Sequence, residues 1–226
     1  MKAMSRYAAD LVMFFREHEN RELAGPMEAY MRNHFPFLGI KTPERKQLLR
    51  EYIQMKGKPQ QEDLEELVTT LWSQPEREFQ YIALTFMDKL IKQASPNFLQ
   101  VIEELIGTKS WWDTIDHLAS NTVGVMYTLY PEETERYIQK WIVSENIWYN
   151  RIAILYQLKY KENTDETKLY EFINQHKDSS EFFIQKAIGW ALREYSKTNP
   201  ESVKDFIEQT DLAPLSRREG LKIIQK

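Results

Sequence analysis

Trp112 and Asp116 stand four residues apart in the stretch Thr108-Lys109-Ser110-Trp111-Trp112-Asp113-Thr114-Ile115-Asp116. On a helix with 3.6 residues per turn, that spacing stacks an indole and a carboxylate on one face. A carboxylate in a partly dehydrated setting stabilises positive charge developing beside it, and it can orient or deprotonate a water molecule. An indole face attracts cationic groups by roughly 0.5 to 2 kcal/mol. The pair therefore suits a reaction that passes through a cation. Taken alone, a helical aspartate is more often turned to solvent or capped by a neighbour, so the reading depends on the elements around it.

Several other chemistries drop out. The chain has no cysteine, which removes disulfides, thiolate metal sites and cysteine nucleophiles and fits a reducing compartment. His18, His34, His117 and His176 are scattered without carboxylates at ligand spacing, so no metal site is expected. His117 points about 100° away from Asp116 on a helix, which disfavours a dyad. Glycine is scarce, and no two glycines are close enough for a phosphate-cradling loop. No serine-centred nucleophile motif is present. The apolar run Leu11 to Phe15 is too short for a signal peptide, and no stretch reaches the length of a membrane span. A soluble cytoplasmic protein is expected.

The elements that must position the pair are helices. With 226 residues, 42 % of them hydrophobic, the chain can bury a core as one large domain or an elongated array of small units. Met27, Tyr30, Met31 and His34 form a short helical face after Pro26. Thr42 is a good N-cap with Pro43 at the first helical position. Helical period then runs over 61 to 72, 76 to 92, 97 to 107, 110 to 129, 132 to 144, 147 to 161, 165 to 177, 181 to 197, 200 to 210 and 215 to 225, with no convincing strand pair.

Aligning the longer helices exposes a repeat. The segments around Ala83, Ala153 and Ala187 share an aromatic residue, three residues, alanine and an aliphatic residue, and the opening stretch fits the frame with Trp112 on the aromatic and Asp116 on the alanine. The spacings are 33, 37 and 34 residues, a period that points to an α-solenoid of HEAT or armadillo kind. One repeat thus places an acid where its siblings keep methyl groups.

Charge is uneven although the net value is only −4. Acids cluster at Glu62, Asp63, Glu65 and Glu66 and at Glu132, Glu133 and Glu135. The segment from Ile147 to Lys161 holds Arg151, Lys159 and Lys161 with no acid, and the last helix holds Arg217, Arg218, Lys222 and Lys226 against Glu219 alone. Second helices line the inner side of a solenoid, so a positive concave groove suited to a duplex backbone is expected, with an acidic outer face. Solvated faces and the helix dipole produce similar charge runs. Trp111, Trp112, Trp148 and Trp190 sit on second helices, and Lys186, Trp190 and Arg193 follow the spacing of one face. Most of these rings must be inter-repeat core, and two or three could face the groove.

Three long runs carry a resemblance: Thr108 to Asp116, Asn146 to Lys161, and Glu181 to Tyr195 with Lys197-Thr198-Asn199-Pro200. Together with Tyr30-Met31-Arg32-Asn33-His34-Phe35 and Pro75-Glu76-Arg77-Glu78-Phe79-Gln80, they resemble the AlkD family of bacterial DNA alkylation repair glycosylases over nearly the whole chain. The resemblance implies one all-α, HEAT-like repeat domain over residues 1 to 226, about six helical pairs, with a concave groove that wraps double-stranded DNA. It implies excision of N3- and N7-alkylated purines without metal or organic cofactor and without base flipping, by a monomer of the bacterial cytoplasm and nucleoid. Carried over by motif, Asp116 is the catalytic carboxylate, Trp112, Trp190 and Tyr30 form the aromatic surface beside the lesion, and Arg151 and Arg193 hold phosphates. Trp111 and Asp113 are set aside, because motif and repeat frame both select the second tryptophan and the second aspartate. The alternative is a non-catalytic HEAT-like scaffold that binds DNA or protein through the same surface; only Asp116 beside Trp112, with the family likeness, separates the two.

Overall fold

The structure, a computed structural model, describes residues 3–224. Fourteen α-helices and no strand occur among the described residues: α1 (Ala3–Arg16), α2 (Arg21–Tyr30), α3 (Thr42–Lys56), α4 (Leu64–Ser73), α5 (Arg77–Leu90), α6 (Phe98–Gly107), α7 (Trp112–His117), α8 (Gly124–Leu129), α9 (Pro131–Ile142), α10 (Ile147–Leu155), α11 (Glu166–His176), α12 (Phe182–Tyr195), α13 (Pro200–Gln209) and α14 (Pro214–Leu221). Internal contacts divide the chain into two units, one ending at Val101 and the other starting at Ile102. No helix among the described residues is long and apolar enough to cross a membrane.

In the first unit, three helices bury stripes of the same form. α1 buries Ala8, Leu11, Val12 and Phe15, α4 buries Leu64, Leu67, Val68 and Leu71, and α5 buries Phe79, Ile82, Ala83 and Phe86. Each set runs i, i+3, i+4, i+7, the one-sided stripe of an amphipathic helix, and α4 packs on both α1 and α5. Each fully buried large side chain contributes about 1.5 to 3 kcal/mol.

The second unit is built around α10. Residues Asn150 to Leu155 are all buried, as expected of a helix covered on every side, and α10 packs against α7, α9 and α12. Asn150 fixes how it docks on α9: its Nδ2 donates to the carbonyls of Trp141 (2.9 Å), Ile142 (3.0 Å) and Ser144 (2.9 Å). These carbonyls lie at and just beyond the C-terminus of α9, where a helix has no partners of its own. Gln80 does the same in the first unit, donating from α5 to the carbonyls of Trp72 (3.1 Å) and Gln74 (2.9 Å). The repeat therefore has a polar component beside its apolar one.

Five local expectations are corrected. The helix expected over 147 to 161 ends at Leu155, and Lys159 and Lys161 lie beyond it. The helix expected after Pro26 begins at Arg21, because Asn20 caps it by accepting from the Leu23 amide; Pro26 lies inside, and Met31 and His34 fall beyond the end. Thr42 is the first helical residue of α3, not its cap, and Lys41 takes the extended cap position. The stretch 110 to 129 is not one α-helix: Leu118–Val123 forms a π-helical turn between α7 and α8. Ser120, Asn121, Thr122 and Val123 are poor α-helix formers, and Ser and Asn compete for backbone groups. The helix expected over 215 to 225 is α14 and ends at Leu221, with Lys222 just beyond it, while residue 225 and Lys226 lie outside the described residues.

The first unit also holds a buried carboxylate. Glu78 accepts from the amides of Leu38 (3.0 Å), Gly39 (3.0 Å) and Ile40 (3.1 Å). Gly39 has φ of +82° and a Cβ there would lie 2.0 Å from the Asn20 carbonyl oxygen, so only glycine fits. Burial pushes the Glu78 carboxyl above its ordinary range, partly offset by the three amides. Glu78→Ala would orphan three buried donors, and we expect a loss of about 3 kcal/mol in denaturant unfolding; an unmoved midpoint would show that the 38 to 40 segment is held by other groups.

Candidate active site

The approach to α7 is fixed before the site begins. Lys109 turns the chain with φ of +51°, and Trp111 is extended at the cap position of α7. The Trp111 ring packs on Phe183 (5.0 Å between centroids) and Trp148 (5.6 Å), which lie 5.0 Å from each other. This cluster ties the start of α7 to α10 and α12. Trp111 is thus the packing tryptophan, and Trp112, one position on and about 100° round the helix, lines a cavity instead.

Asp116 lies one turn after Trp112. In the other repeats its slot is filled by Ala83, Ala153 and Ala187, all sealed in the core. The Asp116 side chain keeps 17 % exposure and meets Arg151 of α10 through two parallel hydrogen bonds, Nε to Oδ1 at 2.7 Å and Nη2 to Oδ2 at 2.9 Å. Arg151 is 5 % exposed, and its remaining terminal nitrogen donates to the Phe183 carbonyl. The expectation that Arg151 faces phosphate therefore meets a different geometry. Its planar fork matches a carboxylate in bidentate fashion, and the structure uses that fork on Asp116 inside the protein.

The pair opens into a cavity of about 280 Å³ whose walls also include Trp112, Trp190 and Arg193. Five of the sequence-selected residues, Asp116, Trp112, Trp190, Arg151 and Arg193, are thus brought together. Tyr30 belongs to the first unit, as the last residue of α2, and is 73 % exposed. Phe182, Phe183, Lys186 and Glu219 complete the walls. Of these, Glu219 was missed as a site residue; the one signal was its being the lone acid among the cations of the last helix. Among the described residues, no group of three or more His, Asp or Glu side chains is placed to hold a metal ion.

Burial raises the Asp116 carboxyl above the ordinary aspartate value; Arg151 opposes the shift without cancelling it, and Asp113 adds to it. The carboxylate is thus held dehydrated yet oriented, the condition under which its charge acts most strongly on a nearby cation.

With this geometry in view, the sequence model of the family described as DNA alkylation repair enzyme matches residues 13–224. The chain belongs to that family. A solved structure described as a predicted DNA alkylation repair enzyme from Enterococcus faecalis shares 34 % identity, covers 92 % of this chain and 97 % of its own, and superposes with a TM-score of 0.84. A search of curated proteins gave no match. The α-solenoid-like, all-helical fold class is shared with that structure, and membership makes DNA the partner and alkylation repair the role.

Because the folded carboxyl sits above its unfolded value, Asp116 contributes full stability below the unfolded pKa, and that contribution is lost as pH rises through the folded one. A carbon-detected NMR titration should place Asp116 above the usual ~3.9, and Arg151→Gln should move it higher still. A midpoint at or below the usual value would mean that pairing outweighs burial.

Proposed function

We propose that this chain is a DNA glycosylase that releases cationic N3- and N7-alkylpurines, such as 3-methyladenine and 7-methylguanine, from duplex DNA as the opening step of base excision repair. The observation that carries the reading is a partly buried Asp116 held by a bidentate arginine in an open cavity beside Trp112 and Trp190.

Alkylation at N3 or N7 leaves a positive charge on the purine. The bond from C1′ to the base then breaks with its electron pair moving to the base, which departs neutral, while the sugar becomes oxocarbenium-like. The ionised Asp116 stabilises that cation. Water adds to C1′, its proton passes to solvent by way of the carboxylate, and an abasic sugar remains. Asp116 need not protonate the leaving base, so it works as an anion. Trp112 and Trp190 supply faces that favour the charged base and sugar over neutral ones, and the exposed phenol of Tyr30 is assigned a contact with the same DNA. Arg151 orients Asp116, and Arg193 faces the backbone.

Glycosylases that extrude a base close a pocket around it. An open cavity favours a lesion read while stacked, through its charge and weakened bond. Selectivity then follows cationic character more than adduct shape. The protein is taken to act as a monomer on the nucleoid, without a cofactor.

Incubation with methylated duplex DNA tests the reading by measuring free alkylpurine. Asp116→Asn should slow release roughly 100-fold or more while duplex binding stays within a few fold. Arg151→Ala should lower the rate with little change in the salt slope of binding, since it is buried. Release at an unchanged rate by Asp116→Asn would make the ion pair structural and move catalysis to a different group, whereas no release by the wild-type chain would favour the scaffold alternative. Bulky cationic adducts should remain substrates, whereas efficient excision of uracil or hypoxanthine would contradict charge-based selection.

A further inference from the structure

The same cavity carries a second carboxylate with a different environment. Glu219 of α14 has a side chain only 6 % exposed and is surrounded by three cations. Its Oε1 accepts from Lys186 (3.1 Å) and Lys222 (2.7 Å), and its Oε2 accepts from Arg193 (2.8 Å) and Lys222 (2.7 Å). Both oxygens are occupied, unlike a group waiting for a substrate proton. Lys222 first, then Lys186, hold the carboxyl down to about 2, so Glu219 stays ionised throughout the neutral range and is unsuited to acid or base work.

The backbone is built to bring this carboxylate in. Gly189 lies on α12, beside Trp190, and a Cβ there would come 2.4 Å from the Glu219 Cβ and 3.1 Å from the Ser216 carbonyl oxygen. Ser216 adds a tie by donating to the Gln185 carbonyl at 3.0 Å. α12 and α14 therefore meet closely at Gly189, one residue before Trp190. Lys186 and Arg193 flank Trp190 on one face of α12, four residues before and three after.

The cations are gathered but not covered. Their side chains are between 29 % and 49 % exposed, with N–H groups left over once Glu219 is served. Three positive charges around one negative leave a surplus of two, which suits a phosphodiester. We propose that Glu219 is a positioning residue that assembles Lys186, Arg193 and Lys222 into one phosphate-binding station at the Asp116 cavity, setting where the backbone of the damaged strand lies. The inference rests on the glycosylase reading for the strand's presence at Asp116.

The sign of the effect separates positioning from packing. The isosteric Glu219→Gln removes a negative charge and frees the cations, so duplex affinity should hold or rise and its salt slope steepen by up to about one unit. Alkylpurine release should keep its KM or lower it, while kcat falls roughly 10- to 100-fold as the strand is misplaced. Replacing Lys186, Arg193 and Lys222 together by glutamine should flatten the slope. A Glu219→Gln enzyme with unaltered kcat, or one whose affinity, kcat and melting temperature all drop together, overturns the proposal. If the wild-type chain releases no alkylpurine, the glycosylase reading fails by itself, and the salt slopes still decide: identical slopes in all three proteins overturn the phosphate station, while the opposed changes support it.

Discussion

Two parallel hydrogen bonds between Arg151 and Asp116 are what the rest of the second unit is arranged to allow. A carboxylate that is to act strongly on a neighbouring positive charge must be partly stripped of water, yet a stripped and unpartnered carboxylate takes up a proton and loses its charge. The guanidinium fork holds the anion against that tendency and sets its direction. The raised Asp116 carboxyl shows that dehydration still outweighs pairing.

One guanidinium joins three helices. It leaves α10, grips Asp116 on α7, and meets the Phe183 carbonyl on α12. The Trp111, Trp148 and Phe183 rings bind the same three helices on the apolar side. Polar and apolar contacts thus fix one alignment twice. The π-helical turn after His117 lets the chain leave α7 without continuing its α geometry through Ser120 to Val123, where side chains compete for backbone bonds.

The helical architecture and the central pair were readable because both are short-range. A stripe such as Leu64, Leu67, Val68 and Leu71 declares its period within two turns, and Trp112 with Asp116 shares a face by spacing alone. The repeat frame marked Asp116 as the odd member of an alanine series. What the sequence could not convey was partnership over distance. Arg151 reads as one cation in an acid-free run, and nothing local shows that its fork turns inward across 35 residues. Glu219 looks like a stray acid in a basic helix, and its meeting with Lys186 and Arg193 depends on how closely α14 approaches Gly189. The cap at Asn20 is a weaker signal in the sequence than Pro26, yet a proline can lie within a helix when the loss is one bond.

Asn150 is the residue just before Arg151, and its amide is fastened to main-chain oxygens at the end of α9. Every amino acid brings an identical oxygen to such a position, so the azimuth of α10 is indexed to a feature that substitution cannot erase. The greasy surfaces between the two helices are therefore at liberty to drift from one aliphatic to another over generations, and the neighbouring guanidinium keeps its heading while they do.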